Sequence, residues 1–124
     1  MKRFVILSHD WPSPHFDLLI EAEGLLRAWR LPAPPERGRT LLAQANADHR
    51  LHYLEYEGPV SGDRGSVSAW DRGTYTGTMA GPAWCLHLEG SRLRGRLRLS
   101  AESAHTWRVT FEPQEDIACA ATGD

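Results

Sequence analysis

Short apolar runs, each cut off within eight or so residues by glycine, proline, aspartate or serine, restrict this chain to antiparallel β-structure. Arg3–Leu7 is a compact apolar strand, stopped by Asp10-Trp11-Pro12-Ser13-Pro14, whose two prolines demand a loop. His15–Ala22 alternates, with Phe16, Leu18 and Ile20 facing one way and His15, Asp17, Leu19 and Glu21 the other. Glu23-Gly24 is a turn, and Leu25–Leu31 is the returning strand of a hairpin. Pro32–Gly38 is a loop, and Thr40–Asn46 fits a strand or a short helix. Further strands are expected at Leu51–Tyr56, Ser66–Trp70, Thr74–Met79, Ala83–Glu89, Leu93–Leu99 and Thr106–Phe111, with turns at 62–65 and 70–73. No segment carries a long apolar stripe at helical spacing. The expectation is an all-β, mainly antiparallel fold: a compact β-barrel with short loops and little helix.

At 124 residues, 41% of them hydrophobic, the chain is long enough for one core without metal or disulfide staples. We read residues 1–111 as one β-barrel domain and 112–124 as an acidic, flexible tail. That tail holds Glu112, Glu115, Asp116 and Asp124 and no Lys or Arg. Setting those four charges aside leaves 14 basic residues against 12 acidic ones, a body charge of +2. So small an excess argues against tight non-specific binding to duplex nucleic acid, which takes many phosphate contacts. No apolar run approaches the ~20 residues that cross a bilayer, so no membrane partner is expected. His9 and Asp10 follow the first apolar run too soon for a signal peptide, which points to a cytoplasmic location. Two cysteines without CxxC spacing, Cys85 and Cys119, give no disulfide framework, and Cys85 reads as a buried free thiol.

The chemistry concentrates in two places. His9, His15 and Asp17 put two imidazoles and a carboxylate within nine residues, and on a strand His15 and Asp17 project together. If the 10–14 loop folds the chain back, His9 reaches His15. Two nitrogens and one oxygen then converge with positions left open, the ligand set of a catalytic metal centre. A solvated histidine pair at a hairpin mouth is the structural alternative. His49, after Asp48, is placed to touch a phosphate or protonate a leaving oxygen, or is an exposed loop histidine. Glu57 before Gly58-Pro59 is either a residue orienting a ligand from behind or a salt-bridge partner. Arg92, Arg94, Arg96 and Arg98 form a solvated strand face or a phosphate-tracking ladder. His-x-Asp with a distal His87 or His105 also fits the facial triad of a non-haem iron oxygenase.

Taken together, these residues resemble the 3′-phosphoesterase domain of bacterial DNA ligase D and its free-standing relatives. The resemblance runs through Phe4-Val5-Ile6-Leu7-Ser8-His9, His15-Phe16-Asp17, Trp29-Arg30-Leu31-Pro32 and Asp48-His49-Arg50-Leu51-His52-Tyr53-Leu54-Glu55-Tyr56-Glu57-Gly58, and on to Trp70-Asp71-Arg72-Gly73. Order and spacing hold from residue 4 to about residue 111. The resemblance implies a barrel with a metal site at one end of a crescent-shaped groove. It implies removal of a 3′-phosphate and trimming of a 3′-ribonucleotide at broken nucleic-acid ends, with manganese as the divalent metal. Carried over by position, His9, His15 and Asp17 would be the metal ligands, His49 would contact the scissile phosphate and Tyr53 would line the site. The implied partners are weakly held nucleic-acid 3′ ends, with room for a separate ligase or polymerase.

Three family cations are replaced here, by Leu19, Ala33 and Leu41. Each such donor to transition-state charge is worth on the order of 2–4 kcal/mol. Arg50, Arg64 and Arg30 are the candidates to take over phosphate binding. The competing reading is a non-catalytic module that binds nucleic-acid ends or a partner after losing those cations.

Overall fold

A computed structural model of the chain describes residues 1–113. The strands are β1 (Arg3–His9), β2 (His15–Ala22), β3 (Leu25–Leu31), β4 (Thr40–His49), β5 (Gly58–Pro59), β6 (Ser66–Ala80), β7 (Ala83–Gly90), β8 (Arg94–Ala101) and β9 (Thr106–Pro113). Their order is β1-β2-β3-β4-β9-β8-β7-β6-β5, and β1 pairs back onto β6. That last pairing closes eight strands into an antiparallel barrel, with the two-residue β5 appended to β6. Closure leaves no long open edge for another chain to extend.

Alternation on β2 sorts side chains between two cores. Phe4, Ile6, Leu18 and Ile20 point into the barrel, where Trp29, Trp84 and Trp107 meet edge to face with centroids 5.1–5.9 Å apart. Val5, Leu7 and Leu19, one residue out of step, form a second cluster outside the barrel wall with Leu26, Leu54 and Val67. The segment after β4 covers this outer cluster. Of the three positions where the resemblance would put cations, two are core: Leu19 lies in the outer cluster and Leu41 in the inner one. Ala33 packs against the inner core.

Several expectations need correction. Thr40–Asn46 resolves as strand, extended to His49. Leu51–Tyr56 is not a strand: Leu51–Leu54 forms a 3₁₀ turn, with the Tyr53 N–H donating to the Arg50 carbonyl at 3.1 Å. The turn points Leu54, 5% exposed, onto the outer cluster, a single anchor that an alternating strand would not need. Residues 70–73 are not a turn either but the middle of the 15-residue β6. There β1 slips register between Ile6 and Leu7, pairing them with Asp71 and Ala69 and leaving Trp70 as a bulge. The buried Asp71 carboxylate turns toward the β7–β8 connection, where it accepts the N–H groups of Ser91 (2.8 Å), Arg92 (3.0 Å) and Leu93 (2.9 Å). Cys85 is half-buried in β7, and Cys119 lies outside the described residues. Of the expected tail, Glu112 and Pro113 belong to β9, Glu112 pairing with Arg96; residues 114–124 lie outside the described residues. Among the described residues no helix is long and apolar enough to cross a membrane.

Candidate metal centre

Strands β1 and β2 pair with His9 directly opposite His15 and Leu7 opposite Asp17. The register brings residues from two strands to one barrel mouth, on the outer face. The rings of His9 and His15 lie 4.8 Å apart, centroid to centroid. His9 Nδ1 is 3.2 Å from Asp17 Oδ2, and His15 Nε2 is 3.1 Å from Asp17 Oδ1. One ligand atom from each residue lies within 4.8 Å of the others. His15 and Asp17 are buried at 5% and 6% exposure, while His9 forms the open side.

The outer nitrogens of the two rings decide what the inner ones present. His9 Nε2 is 2.9 Å from the Arg64 carbonyl, and His15 Nδ1 is 2.9 Å from the Ser13 carbonyl. A carbonyl only accepts, so each of these nitrogens carries the hydrogen. In neutral imidazoles the inner nitrogens, His9 Nδ1 and His15 Nε2, are then bare lone pairs facing a carboxylate. His15 Nε2 is buried without a properly directed hydrogen bond, close as Asp17 Oδ1 is. Acceptors facing acceptors at 3.1–3.2 Å repel unless a proton or a metal cation stands between them. The donor set fits a divalent metal, and the two carbonyls supply the ring-orienting hydrogen bonds such ligands ordinarily have.

Two adjoining cavities extend from the cluster. A narrow one of about 40 Å³ is walled by His9 and Asp17 on one side and by His49 and Tyr53 on the other. This places the downstream residues beside the upstream triad, across some 40 positions of sequence. The His49 Nδ1–H donates to the Ala47 carbonyl at 2.9 Å, which leaves Nε2 as the working nitrogen. Tyr53 packs edge-on to His49, centroids 5.6 Å apart. A wider cavity of about 430 Å³ opens beyond, lined by His9, His49 and Tyr53 together with Arg30, Arg50 and Arg64. All three arginines proposed from sequence therefore meet in one place. Arg30 Nε is buried with no hydrogen-bond partner. Arg64 is held by Ser61, its Nε donating to the Ser61 carbonyl at 2.7 Å.

Other candidates fall elsewhere. Glu57 pairs with Arg72 at 3.5 Å and lines neither cavity. His87 pairs with Glu89 at 2.9 Å and His105 sits in the β8–β9 turn, so neither joins His15 and Asp17 as a facial triad. Arg96 pairs with Glu112, and Arg92 precedes β8 and lies 4.8 Å over the Trp70 ring, so the four arginines at 92–98 do not make a free ladder. Sequence reasoning missed the Ser13 and Arg64 carbonyls, since any residue type offers one. It also missed Trp11, which lines the wider cavity; a large aromatic between two candidate ligands was the available signal.

The sequence profile of the DNA Ligase D 3'-phosphoesterase domain matches residues 7–101. The multifunctional non-homologous end joining DNA repair protein LigD of Mycobacterium tuberculosis (strain ATCC 25618 / H37Rv) is 33% identical over 119 residues, covering 84% of this chain and 15% of that protein. The multifunctional non-homologous end joining protein LigD of Pseudomonas aeruginosa is 31% identical over 111 residues, covering 80% of this chain and 13% of that protein. The chain thus spans about a seventh of the length of the curated relatives it matches.

Proposed function

This chain belongs to the DNA ligase D 3′-phosphoesterase domain family, and from that premise we propose that it is a metal-dependent phosphoesterase that heals nucleic-acid 3′ ends. Its reactions are removal of a terminal 3′-phosphate and trimming of a 3′-ribonucleotide, with Mn²⁺ as the metal. The observation that carries this reading is the convergence of His9 Nδ1 and His15 Nε2 on the Asp17 carboxylate, at 3.2 and 3.1 Å, at the head of a cavity lined by three arginines.

His9, His15 and Asp17 would hold the ion. When bound, a divalent cation polarises a phosphoryl oxygen and adds positive charge where the transition state gathers negative charge. The protein's own groups do the rest. The Ala47 carbonyl takes the His49 Nδ1–H and leaves Nε2 to meet a phosphate oxygen in the narrow cavity, accepting a proton when the ring is neutral and donating one when it is imidazolium. Tyr53 limits that ring's motion and offers its hydroxyl to the same space. Arg30, Arg50 and Arg64 neutralise phosphate charge, which restores positive charge that Leu19, Ala33 and Leu41 no longer supply. The setting proposed is cytoplasmic repair of ends alongside a separate ligase or polymerase.

Burial of Leu19 and Leu41 in the two cores supports a second reading, a module that binds ends without turnover. One assay separates the two. A 3′-phosphorylated primer-template is incubated with Mn²⁺ and the protein, beside His49→Ala and Asp17→Asn variants. The enzyme reading expects phosphate release, lost by 10²-fold or more in each variant. Tight binding with no release in the native protein would select the module.

A further inference from the structure

Trp11 is the one large aromatic among the described residues left substantially open to solvent, at 43% exposure, and it stands at the rim of the wider cavity. It belongs to neither hydrophobic cluster, so packing does not explain it. Its backbone is nonetheless clamped. The Asp10 carboxylate accepts the Ser66 N–H at 2.8 Å, tying the 10–14 loop to the start of β6. Gly65, at φ +76°, lets the two segments approach closely: a Cβ there would sit 2.6 Å from Trp11 Cβ and collide with the Asp10 carboxylate. An indole held on a fixed backbone, exposed beside three guanidinium groups, suits a ligand with a flat apolar face next to an anion.

We propose that Trp11 is the platform on which the terminal nucleobase of a 3′-phosphorylated strand stacks while its phosphate lies among Arg30, Arg50 and Arg64. The proposal rests on the reading of this cavity as the 3′-end site and adds the feature that distinguishes a nucleotide from a bare phosphoester. Stacking on an aromatic side chain is indifferent to base identity, because every base has a π face. The site is therefore expected to accept all four terminal bases and to reject an end that lacks one.

The test compares two labelled single strands ending in a nonhydrolysable 3′-methylenephosphonate, one with its terminal base and one abasic at that sugar, by fluorescence anisotropy in Mn²⁺ buffer. The native protein is expected to favour the base-bearing strand by about 5- to 100-fold. Trp11→Ala is expected to lower that affinity to the abasic level while leaving the abasic strand's affinity unchanged, and Trp11→Phe to keep most of the preference. Equal affinity of the native protein for both strands would overturn the stacking role and leave the phosphate reading standing. Equal weakening of both strands by Trp11→Ala would also overturn it, since that marks a structural residue. A base preference in a protein that releases no phosphate from ordinary 3′-phosphorylated ends would uphold stacking and remove the esterase reading. Binding of neither strand would remove both.

Discussion

Replacing Asp17 by asparagine separates two roles that the native carboxylate combines. With neutral imidazoles the carboxylate faces two ring nitrogens that also accept; an amide would offer N–H donors to the same atoms. Asp17→Asn is therefore expected to match or exceed the native protein's metal-free melting temperature. It is also expected to lose the stabilisation that Mn²⁺ gives. At a free metal concentration 100 times the dissociation constant that stabilisation is about 2.7 kcal/mol, roughly 10 °C for a domain of this size. Thermal melts with and without Mn²⁺ read both effects, and an undiminished Mn²⁺ shift in the variant would count against the ligand assignment. That His15 and Asp17 project together was legible in the sequence, because residues two apart on a strand share a face. The ring orientations were not, since they depend on the carbonyls of Ser13 and Arg64, the second of which lies 55 residues from His9.

At the scale of elements, β6 shows where local signals mislead. Trp70-Asp71-Arg72-Gly73 has the composition of a turn, yet Asp71 spends its acceptors on the β7–β8 connection and keeps the strand continuous. Asp71→Ala leaves these N–H groups without a partner, and a loss of about 3 kcal/mol or more is expected in urea melts. The same strand carries Tyr75, whose hydroxyl donates to the Glu21 carbonyl of β2 at 2.5 Å. Burial, and secondarily the Glu21 charge, push the Tyr75 pKa above its ordinary value near 10. A raised phenol favours the neutral form in the folded state. The stability it contributes is whole below pH ~10 and falls as pH rises from there through the raised value. Tyr75→Phe is expected to be about 1 kcal/mol less stable at neutral pH and to show a shallower decline in urea midpoint as pH rises above ~10. An unchanged slope would mean that Tyr75 does not titrate differently in the folded protein. β2 and β3 were readable to their ends, because alternation and a Glu23-Gly24 turn with both φ positive define a hairpin locally. The 3₁₀ turn at Leu51–Leu54 was not, because its conformation follows from burying Leu54 against β1 and β3, a tertiary requirement.

For the molecule as a whole, barrel closure makes the site. β1 pairs with both β2 and β6, so the His9 end of β1 is gripped between the His15–Asp17 strand and the loop that carries Arg64. The all-β class could be inferred from the repeated turns, but the β1–β6 pairing joins residues some 60 apart and leaves no local trace. With only Arg30, Arg50 and Arg64 facing a strand end, affinity for a 3′-phosphorylated single strand is expected to fall with salt at a log–log slope of about −2. A slope several times steeper would place the strand along a longer basic track than this cavity. The central claim, however, is the ion held between β1 and β2, and a Mn²⁺ titration followed by electron paramagnetic resonance reaches it directly. The native protein is predicted to remove one Mn²⁺ per chain from the free-ion signal, and His9→Ala, with its barrel intact by circular dichroism, to remove almost none. A native protein that leaves the free-ion signal untouched, or a variant that depletes it equally, would contradict the account.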